Sequence, residues 1–412
     1  MDSPSHSGNK PLMRWEWFRS ADWLHRERTW DYLRFMAILS CAALLLQLGT
    51  SRGGLDRNGL LLGTDFLSFW SAGQLLVDGA SPYDMAAHIA VQRSVYVSQT
   101  GFLGFFYPPV FELWCLPLGS LDYFTALLFW TVLGVAAYAM AVRLWLQDLP
   151  LSSLLIAVAA FPAVLLTIVH GQTSLFVAAL LGAGLWLVCA GRKFLGGALL
   201  GLAVIKPQFG LLIPVVLLAG REWRAIGAAV ATALTSAVVA TLALGADEWS
   251  GWWAVRAVAE GTMSDGLVGF AKMQSVYAAL RLVGVGSEPA YLIQGIAAFA
   301  CAVALFLAVR RYGLRAEAAA ATLTAGLLTT PFLLDYDLVL LGFPIALLAS
   351  TRSRPWERAV SALAFALPAF ARSLGTYGGV PITPLLVLAL FVLLLRRITE
   401  PETEKAPFPE PF

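Results

Sequence analysis

Residues 194–220 read FLGGALLGLAVIKPQFGLLIPVVLLAG, and this stretch decides the fold. It lies between two basic clusters, Arg192-Lys193 and Arg221. Basic loops collect on the cytoplasmic side of a membrane, so both ends of the stretch belong on one face. Two half-length apolar helices fit, Phe194 to Ile205 and Phe209 to Gly220, hinged at Lys206-Pro207-Gln208. At about 1.5 Å per residue each arm reaches some 20 Å, which carries Lys206 deep into the hydrocarbon layer. Irregular backbone and a cation at that depth need a protein-lined, wet cavity.

The rest of the chain shares this character. Of its 412 residues, 58% are hydrophobic and 13% charged. The mean hydropathy of +0.73 is beyond what a water-soluble core can hide. Apolar runs long enough for a layer of about 30 Å recur from Tyr32 to Leu395, with no polar stretch large enough for a separate soluble domain. One all-α membrane domain, residues 32–397, is expected, after a cytoplasmic amphipathic segment at 1–31 and before a cytoplasmic tail at 398–412. A net charge of +2 gives no reason to expect nucleic-acid binding. Cys41, Cys115, Cys189 and Cys301 sit in or beside apolar runs without a Cys-x-x-Cys pair, so they read as small core residues. No small-residue cleavage pattern follows the first apolar run, which is expected to remain as a membrane helix. Before it, Trp15, Trp17, Trp23 and Trp30 alternate with Arg14, Arg19, Arg26 and Arg28, as suits a segment on the cytoplasmic headgroups.

Further basic clusters at Arg310-Arg311 with Arg315, Arg352 with Arg354 and Arg358, and Arg396-Arg397 complete the cytoplasmic anchors. They place spans near 32–48, 122–145, 151–169, 172–190, 224–245, 288–310, 316–334, 336–350, 358–374 and 381–397. Both termini then face the cytoplasm. Two outer loops, near 49–121 and 247–288, remain. The first predicts helices on the outer surface at Phe66 to Val77 and Tyr83 to Ser98, parted by the turn Asp78-Gly79-Ala80-Ser81-Pro82. Tyr107 to Gly119 reads as a re-entrant or interfacial segment. In the second loop Trp249, Trp252 and Trp253 belong at headgroup height. There is no convincing internal repeat, which disfavours transporters built on inverted halves.

The ionisable residues at membrane depth are the candidates for chemistry. Asp65, directly before the aromatic outer helix, is either an N-terminal carboxylate complementing the helix dipole or a general base at the lipid boundary, with Phe66, Phe69 and Trp70 as an apolar ledge. His170-Gly171-Gln172, with Thr173 and Ser174, forms an outer turn in which His170 and Gln172 suit sugar hydrogen bonding. Lys206, with Gln208, costs about 3 kcal/mol or more in lipid unless paired or solvated. Its partner is a lipid phosphate or, as the structural alternative, the carboxylate of Asp335 or Asp337. Asp335-Tyr336-Asp337 caps the next helix, binds sugar hydroxyls or ligates a divalent ion; hydroxyl binding is preferred, because no further hard ligands are placed by sequence. Lys272 and Arg281 complete the outer cations, as phosphate or headgroup contacts.

Taken in order, Asp65-Phe66 with Trp70 and Ala72, Gly79-Ala80-Ser81-Pro82-Tyr83, Tyr107-Pro108-Pro109, Gly171-Gln172, Gly201-Leu202-Ala203 running into Lys206-Pro207, and Gln274-Ser275 with Arg281 resemble the polyprenol-phosphate-mannose-dependent mannosyltransferases, glycosyltransferase family 87 of the GT-C superfamily. The resemblance implies a GT-C-type fold of about twelve membrane helices, some half-length, in a bacterial inner membrane. It implies inverting transfer of a sugar, mannose or another hexose or pentose, from a polyprenyl-phosphate donor to a hydroxyl of a lipid-linked or cell-envelope glycan. The active site would face the periplasm, with no cofactor and no metal. Asp65 would be the base, and Lys206, Lys272 and Arg281 the donor-phosphate cations. Tyr107, His170, Gln172, Gln208, Gln274, Asp335, Tyr336 and Asp337 would bind sugar or acceptor. Some members carry a histidine after the proline of the late motif, where this chain has Leu334-Asp335-Tyr336-Asp337, so the resemblance does not by itself fix mannose or the acceptor of those members. The rival class is a transporter or flippase of polyprenyl-linked sugar, which also uses acids and cations in a membrane cavity.

Overall fold

The computed structural model describes residues 10–97 and 103–400. Among them the only regular elements are helices, joined by turns and three isolated bridges. Five helices are long and apolar enough to cross a membrane: Arg26–Thr50, Tyr123–Trp145, Trp223–Leu244, Ser287–Tyr312 and Glu357–Gly378. Leu151–Ala160 and Pro162–His170 make a sixth span if taken together, but they bend by 69°. The straight span expected at 151–169 is therefore broken. Pro162, at the start of the second half, has no N–H to continue the ladder, and a proline disfavours helical backbone at the residue before it, here Phe161.

The hinge in the opening stretch has the same cause. Helix Lys193–Leu202 tightens into a 3-10 turn, Ala203–Ile205, and stops at Lys206 with φ −138° and ψ 71°. Pro207 opens a second 3-10 turn, Pro207–Gly210, before helix Ile213–Ala219. The first arm is seated by glycine. A methyl group at Gly197 would strike the Ala225 carbonyl, and one at Gly196 would lie 2.6 Å from the Gly184 carbonyl. Small residues let these backbones meet where lipid supplies no hydrophobic drive.

Helix Phe66–Val77 occupies its expected range. Its neighbour, Met85–Val95, is shorter than the Tyr83 to Ser98 expectation, and Ser98 lies outside the described residues. Asp84 sets its start, accepting from the N–H groups of Ala86 at 2.9 Å and Ala87 at 3.1 Å. The segment read as re-entrant forms Pro109–Cys115 and the 3-10 turn Leu116–Ser120. Gly73 and Gly119 bring it against helix Phe66–Val77, backbone to backbone, and a side chain on either would collide with the other. Phe66 (0% exposed), Phe69 (2%) and Trp70 (7%) are buried core and not an open ledge. They pack into a ring cluster with Tyr123 and Trp130.

The segment 247–288, expected as a loop, holds two helices, Asp247–Ser264 and Val276–Leu282. Trp249 and Trp252 bond to protein, at Thr241 Oγ1 and the Phe106 carbonyl, and Trp253 is exposed. The N-terminal segment forms helix Lys10–Ser20 and docks on protein: the Trp356 N–H donates to the Arg19 carbonyl at 2.8 Å. Residues 401–412 of the expected tail lie outside the described residues. The four cysteines are free; Cys115 and Cys301 are buried as expected, whereas Cys41 is exposed on its helix.

Candidate active site

Asp65 precedes helix Phe66–Val77, yet its side chain makes no capping bond to that helix. The carboxylate is spent elsewhere. Its Oδ2 accepts from Gln172 Nε2 at 2.8 Å and lies 4.0 Å from Lys272 Nζ. Its Oδ1 lies 3.9 Å from His170 Nδ1, which is bonded to Thr64 Oγ1 at 3.0 Å. The Asp65 side chain is 18% exposed, so it is reachable from one side.

Backbone geometry brings these groups together. The Asp65 N–H donates to the His170 carbonyl at 3.0 Å. Gly171 ends helix Pro162–His170 with φ +65°, and a methyl group there would lie 2.6 Å from Phe66 Cβ. Only glycine satisfies both the left-handed turn and that approach. The Trp130 indole then fixes the Gly171 carbonyl at 3.1 Å. The amide oxygen of Gln172 accepts from Tyr107 Oη at 3.3 Å and from the Thr173 N–H at 3.1 Å, which leaves its NH₂ for Asp65.

Lys272 arrives from the segment between helices Asp247–Ser264 and Val276–Leu282. The Gln274 N–H donates to the Leu333 carbonyl at 2.8 Å, and Met273 bridges Leu334. That pairing sets Lys272 Nζ 5.5 Å from the centre of the Tyr336 ring. Burial pushes the Asp65 carboxyl up, but the Lys272 charge and the hydrogen bonds from Gln172 and Tyr336 help to outweigh it and hold the group below the usual carboxylate range. Asp65 is thus an anion at neutral pH beside a cation.

A second, sealed cluster adjoins it. Lys206 Nζ donates to Asp337 Oδ1 at 2.6 Å, and Ser174 Oγ donates to the same oxygen at 2.5 Å. The Lys206 and Asp337 side chains are 6% and 1% exposed. Asp337 Oδ2 accepts from the Leu334 N–H at 3.1 Å. Lys206 also lies 5.4 Å from the Tyr336 ring, so that ring joins the two clusters. Lys206 thus has as a partner one of the carboxylates expected as its structural alternative, that of Asp337.

Three expected site residues show no hydrogen bond or ion pair to Asp65 among the described residues. Arg281 donates to the carbonyls of Val285 and Ser264 and stacks on Phe270. Gln274 donates to the Ala271 carbonyl and accepts from Thr383 Oγ1. Gln208 is half-buried on the 3-10 turn Pro207–Gly210. Asp335 and Asp337 diverge: Asp337 faces Lys206, whereas Asp335 Oδ2 has no hydrogen bond and lies 3.8 Å from Arg372 Nη1. Among the described residues no group of three His, Cys, Asp or Glu converges as metal ligands would. The sequence reading missed Arg372. Its signal was present, as a lone cation near the end of an apolar helix opposite to the basic loop that precedes it.

Helices built to cross lipid, carrying an ionised carboxylate beside an ammonium and a cluster of hydrogen-bonding side chains, define a polytopic membrane protein with a polar working site. The profile of glycosyltransferase family 87 matches residues 105–334, more than half of the chain, and the chain belongs to that family. It is a membrane glycosyltransferase. The match begins downstream of Asp65 and ends one residue before Asp335. No curated protein and no solved structure matches the chain.

Proposed function

We propose that the protein transfers a sugar from a polyprenyl-phosphate donor to a hydroxyl of a lipid-linked or cell-envelope glycan, on the periplasmic face, with inversion and with Asp65 as base. On this reading the fold is of the GT-C type, with the half-length helices completing about twelve membrane segments. The observation that carries it is the state of Asp65: free of capping duty, oriented by Gln172, anionic, partly open and 4.0 Å from Lys272.

The acceptor hydroxyl gives its proton to Asp65 as its oxygen attacks the anomeric carbon. The bond from that carbon to the donor phosphate oxygen breaks on the opposite face, and polyprenyl phosphate leaves with the electron pair. Lys272 opposes the charge growing on that oxygen, where a fixed cation favours the transition state over the ground state. His170, Gln172, Tyr107 and Tyr336 are placed around Asp65 to position hydroxyls. Lys206 and Asp337 hold the floor of the site together and do not meet the phosphate.

The test uses purified protein in detergent micelles, where no gradient exists, with radiolabelled sugar on polyprenyl phosphate and an envelope lipid extract as acceptor. Label passing into the acceptor fraction is expected. Absence of transfer in detergent, combined with movement of labelled lipid-linked sugar across proteoliposomes, would establish the transporter reading instead.

A further inference from the structure

The Asp65 carboxylate meets His170 through a hydroxyl that the transfer reaction leaves unused. Thr64 Oγ1 lies 3.0 Å from His170 Nδ1 and 3.5 Å from Asp65 Oδ1, while Nδ1 and Oδ1 are 3.9 Å apart. Backbone bonds on both sides of Thr64 hold it there. The Gly63 N–H donates to the Val169 carbonyl at 3.3 Å, and the Asp65 N–H to the His170 carbonyl at 3.0 Å. Tyr123 Oη ties the Leu62 and Gly63 carbonyls, at 2.8 and 2.9 Å. Gly63 has φ +71°, and a methyl group on it would lie 2.7 Å from Leu127 Cδ1. The His170 ring stands edge to face on the Tyr336 ring, with centres 5.6 Å apart. Two segments 106 residues apart in the chain therefore fix Thr64 against His170.

Charge decides which way the protons point in this row. An ionised carboxylate only accepts hydrogen bonds. The Thr64 hydroxyl has one proton, and turning it to His170 would set an oxygen lone pair and a bare Nδ1 against the Asp65 anion. Turned to Asp65, the hydroxyl donates to the anion and accepts from Nδ1–H, so both dipoles favour the charge. Lys272, 4.0 Å from Asp65 Oδ2, already supplies a counter-ion, and a neutral ring completes the balance. In a neutral imidazole one nitrogen donates and the other accepts. With the proton on Nδ1, Nε2 is left as a lone pair. It bonds to no described residue, and the His170 side chain is 17% exposed, close to the 18% of Asp65.

We propose that Thr64 and Asp65 hold His170 as its Nδ1–H tautomer, so that Nε2 serves as the hydrogen-bond acceptor for a sugar hydroxyl beside the reacting atoms. Thr64 is then a positioning residue, and His170 reads the direction of a hydroxyl: it takes a group that donates and rejects one that only accepts. The hydroxyl belongs to the sugar being moved or to the acceptor glycan, since both meet at Asp65. A site built around a hydroxyl discriminates strongly against an analogue that lacks it. This inference rests on Asp65 as the base of sugar transfer.

Nitrogen-15 NMR of the full-length, histidine-labelled protein in detergent micelles tests it; the chain has four histidines, and His170→Gln identifies the signals of this one. Wild-type His170 is expected as the Nδ1–H ring with a bare Nε2. Thr64→Val should let the Nε2–H form in, Thr64→Ser should restore the wild-type pattern, and Asp65→Asn, which removes the charge, should act as Thr64→Val does. An imidazolium or an Nε2–H ring in the wild type overturns the proposal, as does a tautomer that Thr64→Val leaves unchanged. The sugar probes are undecaprenyl phosphate carrying mannose or glucose, and octyl mannoside or glucoside; bare undecaprenyl phosphate is the control. A shift of the Nε2 signal with the lipid-phosphate sugars assigns the hydroxyl to the moved sugar, and a shift with the octyl glycosides alone assigns it to the acceptor. No shift with any sugar probe, or an equal shift with bare undecaprenyl phosphate, overturns the hydroxyl site. In the transfer assay Thr64→Val should lower kcat/KM about tenfold, the effect of one hydrogen bond, and Thr64→Ser should recover it. The tautomer is read without turnover, so wild-type protein that shows it and responds to sugar, yet transfers none, would sink the proposed reaction and leave this sugar contact standing.

Discussion

The charge on Lys272 sets the pH at which Asp65 can take a proton. Asp65 is held below the ordinary carboxylate range, so its ionised form persists in the folded protein to lower pH than in the unfolded chain, and is lost as pH falls through the depressed value. With Lys272→Gln the burial contribution gains weight, the carboxyl rises, and the acid limb of kcat/KM moves to higher pH. A pH–rate profile checks this; an unmoved limb would separate Lys272 from the base. The pair Lys206–Asp337 makes a different claim. Lys206→Met leaves a carboxylate 1% exposed without its counter-ion and should cost about 3 kcal/mol, whereas Lys206→Met with Asp337→Asn should recover much of it. Thermal unfolding in detergent reads both. A variant that unfolds normally but binds donor poorly would return Lys206 to the phosphate. Asp65, His170 and Gln172 were legible because their turn and helix-start signals are local. The partners of Gln274 and Arg281 were not legible, since pairing of 273 with 334 and the fold of 264–285 decide where their side chains go.

Among elements, helices Glu357–Gly378 and Thr383–Thr399 are tied at one end by a buried bidentate pair. Arg397 Nε and Nη2 donate to the two Glu357 oxygens, each at 2.6 Å, with the side chains 4% and 2% exposed. The basic-inside reading treats Arg397 as a loop charge, but here it is a clamp. Glu357→Gln leaves the guanidinium buried without its anion and should destabilise the protein by about 3 kcal/mol, seen as a lowered unfolding temperature with donor binding retained below it. An unchanged unfolding temperature would show that the pair does not hold these helices. Helix positions were widely legible, because apolar length and the Lys206-Pro207 break are written in the sequence. The helix Asp247–Ser264 was not: its anchors are the Thr241 hydroxyl and the Phe106 carbonyl, neither visible from its own composition.

Across the whole molecule, the proposed topology puts Asp65, Lys272 and Arg372 on the face opposite the basic loops. Tyr377, 89% exposed beyond Arg372, and Ser353, between the basic residues of the opposite loop, report the two faces. In a Cys41→Ser background, Tyr377→Cys should react with a membrane-impermeant thiol reagent in intact spheroplasts, and Ser353→Cys only after permeabilisation. The reverse pattern would invert the topology and move the site to the cytoplasm. Family membership and membrane character follow from the sequence, but substrate identity depends on how distant segments close around Asp65. The most direct measurement of the central claim is turnover by Asp65→Asn, in purified protein that folds and binds undecaprenyl phosphate as the wild type does. A fall of about 10² to 10⁴-fold in sugar transfer is predicted, as for loss of a general base. Transfer close to the wild-type rate would contradict the account.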